Sequence, residues 1–324
     1  MESRKLQFTG RSTYVVSLPK RWVRERGLKA GDRVLIEQGE SGELILRPDA
    51  SVVTAPVVRK LDITGASPKQ IERRIISAYL SGFDELRIVC RHRILPEQRE
   101  AVTRILRRIL GTEILAESSH EIVINDLLDF KDIYPRSILR RMHVITEFML
   151  KNAVEAFFTS DTELARDVAA RDEEVDKFYL LATKEIMEGV KGKSSLRLEM
   201  SPEKAIHHLS VARSLERIAD HSVKIAKVLL SGLGNHPGEL EGRLRELYSL
   251  VLKCFELAVK SFFSGDAELA DRVLDERERV EEMHSKVLGE VGQGAPGIYI
   301  LLDSLQRVYA YSADIAECTL DLEV

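Results

Sequence analysis

An internal duplication in the C-terminal part of this 324-residue chain limits its possible folds more than any other feature. Residues 153–176 align without a gap on residues 258–281 at a fixed offset of 105. Phe157-Phe158 falls on Phe262-Phe263, Asp161 on Asp266, Glu163-Leu164-Ala165 on Glu268-Leu269-Ala270, and Val168 and Val175 on Val273 and Val280. A match of that length marks a repeated structural unit rather than a short motif. Each copy reads as three helices: residues 137–158, 162–188 and 202–230, then 240–263, 267–290 and 296–320. Ser160-Asp161 and Gly265-Asp266 make the first turn in each copy, and Pro202 and Pro296 open the third helices. Apolar residues recur three and four apart, as in Ile138, Met142, Ile145, Met149 and Ala153, the pattern of helices that bury one stripe in a bundle. The expectation is two tandem three-helix bundles, residues 131–231 and 237–324.

Composition agrees with a mainly α, multi-domain chain. Apolar residues make up 44% and charged residues 31%, against only 6% aromatics, and one domain usually takes about 100–200 residues. Cys90, Cys254 and Cys318 lie far apart in apolar runs with no CxxC spacing, as reduced buried thiols do. No apolar run approaches the roughly 18 residues of a membrane span, and the N-terminus lacks the apolar core of a signal peptide. The expected location is the cytoplasm, without membrane insertion.

Charge is unevenly placed. Residues 1–33 carry nine Lys or Arg against Glu2, Glu25 and Asp32, a net +6 that leaves −10 for the rest of a chain whose total is −4. A short basic head of this kind is suited to a polyanion. Within it, residues 5–8 and 13–18 read as strands around a Gly10-Arg11-Ser12 turn. Residues 20–26 read as two helical turns closed by Gly27, and residues 33–37 and 43–46 as a final hairpin. So few short elements bury little alone, which predicts a dimer. The order Gly10-Arg11, Val15-Val16, Leu18-Pro19, Gly27-Leu28-Lys29-Ala30-Gly31-Asp32 and closing hairpin resembles the AbrB-type swapped-hairpin DNA-binding domain over residues 1–50. That resemblance implies an intertwined homodimer that contacts DNA phosphates and the major groove. Arg4, Lys5, Arg11 and Arg24 stand at its basic positions, and Val23 stands where the family often has another arginine. Antitoxins and cell-division proteins share this fold.

Residues 51–130 read as βαβαββ, with strands at 57–63, 86–90, 113–116 and 121–124 and helices at 68–80 and 96–110. Ser67 and Pro68 supply a cap and a first-turn proline. With no Gly-rich phosphate loop, metal-spaced histidine pair or activated nucleophile, this segment is expected to connect, and to serve as a spacer or dimer interface.

The bundles carry the other chemical signal. Glu216 and Asp220 lie four residues apart on one helix, and Asp172 and Asp176 repeat the spacing upstream. Each like-charge pair costs an isolated helix about 0.2–0.5 kcal/mol. If the helices face each other, four carboxylates converge and a hard cation is the natural compensation; alternatively both pairs face water. Two tandem bundles with Leu215-Glu216-Arg217-Ile218-Ala219-Asp220-His221 on the third helix of the first resemble the PhoU family of phosphate-signalling regulators. The resemblance implies a divalent or trivalent metal ion (iron, or Zn, Mg or Mn) on Asp172, Asp176, Glu216 and Asp220, with Glu173 the alternative to Asp172. It also implies control of phosphate uptake through a phosphate transporter subunit or sensor kinase. On the third helix a gap shifts the match to an offset of 90, with Leu215 on Leu305 and Ile225-Ala226 on Ile315-Ala316. The second copy therefore offers Arg277, Glu281, Gln306 and Ala310 at those positions, so metal is expected in the first bundle only, with Arg277 pairing with Glu281 instead. The sequence thus reads as a DNA-binding regulator of phosphate homeostasis and not as an enzyme. A carboxylate-cluster metalloenzyme needs inward Glu-x-x-His pairs, and neither Glu216 nor Glu147 has a histidine three residues on. The remaining alternative is a dimeric interaction platform that senses nothing.

Overall fold

The computed structural model describes residues 3–10, 12–38, 42–49, 56–128, 134–191, 201–233, 238–292 and 295–323. They form two compact units, Met1–Val57 and Val58–Val324.

In the first unit β1 (Gln7–Thr9) pairs antiparallel with β2 (Thr13–Val15), helix α1 spans Lys20–Glu25, and β3 (Val34–Gln38) pairs antiparallel with β4 (Leu44–Pro48). Gly10 makes the β1–β2 turn at φ +65°, a left-handed conformation that side chains disfavour. Phe8 and Tyr14, directly opposite across the ladder, meet edge to face at 5.0 Å. None of the described residues in this unit is buried; Leu6, Phe8, Tyr14, Ile36 and Leu44 are all exposed.

The second unit begins with β5 (Val58–Asp62), α2 (Pro68–Leu80), β6 (Glu85–Val89), α3 (Pro96–Leu106), β7 (Thr112–Glu117) and β8 (Glu121–Asp126). The strands form one sheet in the order β5-β6-β8-β7, parallel between β5 and β6 and antiparallel elsewhere. Ile71, Ile75 and Tyr79 of α2 and Val102 and Ile105 of α3 share a core with Leu86, Ile88 and Ile124 of the sheet.

Among the described residues seven α-helices follow: α4 (Pro135–Thr159), α5 (Thr162–Lys191), α6 (Pro202–Leu230), α7 (Glu241–Ser264), α8 (Ala267–Leu274), α9 (Arg277–Glu290) and α10 (Pro296–Asp321). The repeat is visible in its corners. Ser160 and Gly265, equivalent at offset 105, both take left-handed conformations that end α4 and α7, and Asp161 and Asp266 then accept the first free N–H groups of α5 and α8. The copies share one hydrophobic core, with α6 packed against α10.

The repeat is broken at one point: the helix expected over 267–290 is interrupted at Asp275-Glu276. The buried Tyr309 hydroxyl donates to the Val273 carbonyl at 3.0 Å, taking the acceptor that an uninterrupted helix would offer to the Arg277 N–H. In the first copy the position of Tyr309 belongs to Ala219, and α5 runs on unbroken.

The α/β segment is more than a spacer. Its core takes in Leu180 of α5, and Lys184, one turn further along α5, is fully buried. The Lys184 ammonium pairs with Asp126 at the end of β8 and stands 4.7 Å from the centre of the Tyr79 ring. Glu185 beside it is also fully buried, and burial pushes its carboxyl up to about 8, which favours its neutral form. A separation between this segment and the bundles near residue 130 is therefore not a boundary between compact units. Breaking a buried ion pair from one side leaves the other charge stranded. Asp126→Asn should cost about 3–5 kcal/mol in urea unfolding, and the double change Asp126→Leu with Lys184→Met should recover most of it.

Candidate functional site

Helices α5 and α6 pack against each other, and their packing brings the two carboxylate pairs within reach of one another's fields. Burial raises the Asp172 carboxyl, and Asp176 and Asp220 raise it further. Burial and then Asp220 push Glu216 up to about 6, while burial, opposed by Arg217, raises Asp220. Glu173, the alternative to Asp172, is exposed.

Three of the four carboxylates are met by arginines. Arg108, in the turn that follows α3, donates from Nη2 to Asp176 Oδ2 at 2.6 Å. Arg217 lies 3.5 Å from Glu216 Oε2 and 3.3 Å from Asp220 Oδ2. An open groove of about 410 Å³ beside them has Asp172 and Asp220 on its wall with Lys224, Lys227, Ser231 and Ile300. The donor chemistry, hard carboxylate oxygens, suits Mg²⁺, Mn²⁺ or iron. The arrangement does not assemble it: among the described residues no group of three or more His, Cys, Asp or Glu is disposed to hold a metal ion. His221 lies away from the carboxylates, its ring 6.0 Å from Tyr311 of α10.

The second copy solves the charge problem with its own residues. Arg277, at the position of Asp172, lies 3.8 Å from Glu317 rather than pairing with the expected Glu281. At the third-helix offset of 90, Glu317 stands where the first copy has Lys227, whose charge Asp172 feels. The Arg277–Glu317 pair is thus the Asp172/Lys227 neighbourhood with its signs exchanged. Among the described residues of the bundle helices one Glu-x-x-His pair does occur, Glu281 and His284 on α9, where Asp303 is an electrostatic neighbour of His284.

In the first unit Arg4 and Lys5 precede β1 and Arg24 sits in the last turn of α1, all three exposed; Arg11 lies outside the described residues. Sequence reasoning missed Arg108, which reaches Asp176 across 68 residues. Arg217 was open to detection, because it stands one residue from Glu216 and three from Asp220.

Comparisons with known proteins match both halves of this description. Residues 139–229 and 244–319 match the PhoU domain family, and residues 7–53 match the family described as antidote-toxin recognition MazE, bacterial antitoxin. A phosphate-specific transport system accessory protein PhoU homolog of Caulobacter vibrioides (strain NA1000 / CB15N) is 34% identical over 91 residues, 28% of this chain. The chain spans only 37% of that relative's length. The PhoU homolog 1 of Thermotoga maritima is 24% identical over 199 residues, covering 58% of this chain and 85% of that protein. Among solved structures, PhoU from Pseudomonas aeruginosa superposes with a TM-score of 0.51 at 24% identity, over 57% of this chain and 93% of that one. The phosphate transport system regulatory protein PhoU from Streptococcus pneumoniae gives 0.52 at 18%, over 59% and 93%. At these identities the structural likeness establishes the fold. Residues 54–138 fall between the two matched families.

The raised Glu216 carboxyl gives a direct check. A carboxylate whose pKa rises on folding adds most to stability below its ordinary range, and that contribution is lost as the pH rises through the folded value. In chelator-treated protein, carbon NMR should place the Glu216 midpoint near 6, shifted from the ordinary 4.5, and Asp220→Asn should lower it. On this group's account, stability should decline between those two pH values. An unshifted midpoint would contradict the packing of α5 on α6.

Proposed function

Because the chain belongs to the PhoU domain family, we propose that it is a DNA-binding regulator of phosphate uptake, joining bundles that respond to phosphate status to a dimeric DNA-binding head. One observation carries the proposal: PhoU-domain bundles and a MazE-type module at residues 7–53 occur in a single chain, with the net +6 confined to the head. Phosphate-specific transport is the setting named for the Caulobacter relative. A phosphate transporter subunit or sensor kinase is accordingly the proposed protein partner, and the cytoplasm the proposed location. Among the described residues no helix is long and apolar enough to cross a membrane.

The homodimer is favoured by the exposure of the head. A unit with no buried residue among those described, and with Leu6, Phe8, Tyr14, Ile36 and Leu44 open to solvent, gains a core only when another chain covers it. A second copy supplies the same apolar surface and doubles the basic charge offered to DNA. Arg4, Lys5, Arg11 and Arg24 are the proposed contacts. In the bundles the proposed function is regulatory, with a divalent or trivalent cation on Asp172, Asp176, Glu216 and Asp220 of the first copy alone. The repulsion that Asp176 and Asp220 exert on Asp172, and that Asp220 exerts on Glu216, favours that cation.

DNA binding is testable on the full chain. Each neutralised phosphate releases counterions, so the logarithm of affinity should fall by about 0.9 per phosphate contact for each tenfold rise in salt. Arg24→Ala should weaken binding by about 1–3 kcal/mol if the side chain reaches a base edge. Gel shifts in which the intact protein retains no DNA even at low salt would overturn the proposal.

A further inference from the structure

We infer that Glu185 is a proton-operated catch at the junction of α5 with the α/β segment. With its proton in place the carboxyl group belongs to the closed junction, and its ionisation opens that junction to water.

The surroundings of Glu185 leave its ionised form without support. The side chain is fully buried, and neither carboxyl oxygen has a hydrogen-bond partner among the described residues. Its electrostatic neighbours there are Lys184 and Glu188 on α5 and Asp126 at the end of β8, and it acts in turn on Tyr79 of α2; none comes from α4 or α6. Lys184 does not bond it, because the ammonium is paired with Asp126 and successive residues of a helix point about 100° apart. Glu188 sets its carboxyl against the Gly82 backbone, where a β-carbon would not fit. Tyr79 donates its hydroxyl to the Leu110 carbonyl at 3.1 Å. Arg59 of β5, which reaches the same loop, donates to the carbonyls of Gly82 and Ser81 at 2.7 and 3.1 Å.

An ionised Glu185 would set three carboxylates around one ammonium, with no hydrogen bond to its own oxygens. A buried group escapes that cost by keeping its proton or by reaching solvent. Burial, opposed by Lys184 and reinforced by Glu188 and Asp126, accordingly holds the carboxyl well above its ordinary range, at about 8. A carboxyl raised in this way favours the closed form fully below its ordinary 4.5, and the advantage is lost as the pH rises through the folded value. When Glu185 ionises, its proton passes to water and the carboxylate must be hydrated, so α5 has to part from β8 and α2. The Lys184–Asp126 pair gives the junction its attraction, and Glu185 makes that junction depend on pH.

Amide exchange of the full chain at Ile124 of β8 and Leu181 of α5, corrected for the intrinsic base catalysis of exchange, tests this from just above the Glu216 midpoint to beyond that of Glu185. In the unmodified protein the opening constant should rise about tenfold per pH unit, one proton being released on opening, and should level off above about 8. Glu185→Gln keeps the shape of the protonated side chain and cannot ionise, so it should show no such rise, and the ratio of the two opening constants should grow with pH. A ratio that stays constant over this range would overturn the inference. Where Glu185→Gln fails to fold, the unmodified chain decides: an opening constant that does not rise with pH overturns the inference, and one that rises with the slope of a single proton supports it.

Discussion

Asp172, Asp176, Glu216 and Asp220 sit on packed helices where burial and mutual repulsion raise Asp172 and Glu216, and burial raises Asp220 against the pull of Arg217. A fold that carries such a face must supply positive charge to it, because neither burial nor a neighbouring carboxylate favours the ionised form. Arg217 provides some of that charge from α6 itself, and Arg108 provides more from the turn after α3. The second copy lacks three of the four carboxylates and has an arginine at the place of the first, so its charge balance closes without outside help. The duplication thus preserves the scaffold while assigning the electrostatic problem to one copy.

The same helix that carries Asp172 and Asp176 also holds the buried Lys184. Arg108 on Asp176 and Lys184 on Asp126 are two polar ties between α5 and the α/β segment, with opposite polarity: one sends a cation to the bundle, the other receives a carboxylate from β8. The outer tie is partly exposed, while the inner one is buried and costly to break.

Local and periodic features were legible in the sequence. The helix corners could be read because Ser160-Asp161 and Gly265-Asp266 encode their own turns and caps, and the order of the α/β segment followed from alternating patterns and the prolines at 68 and 96. The carboxylate pairs were legible because four-residue spacing alone places them on one helix face. Contacts between distant residues were not. The interruption at Asp275-Glu276 depends on a tyrosine 36 residues from its acceptor, and the ties to α5 depend on Arg108 and Asp126, 68 and 58 residues from their partners. No periodicity carries such information. The basic head showed its strands plainly, and its lack of a core became visible only through exposure in the folded unit.

The central claim, that the α/β segment and the bundles are joined into one body through α5, can be measured directly by native-state amide exchange in increasing urea. The strands β6 and β8 and the middle of α5 should share a single opening free energy and lose protection together, as one cooperative unit does. Protection of β6 and β8 that collapses at lower urea while α5 stays protected would contradict the account and make the segment an independent domain.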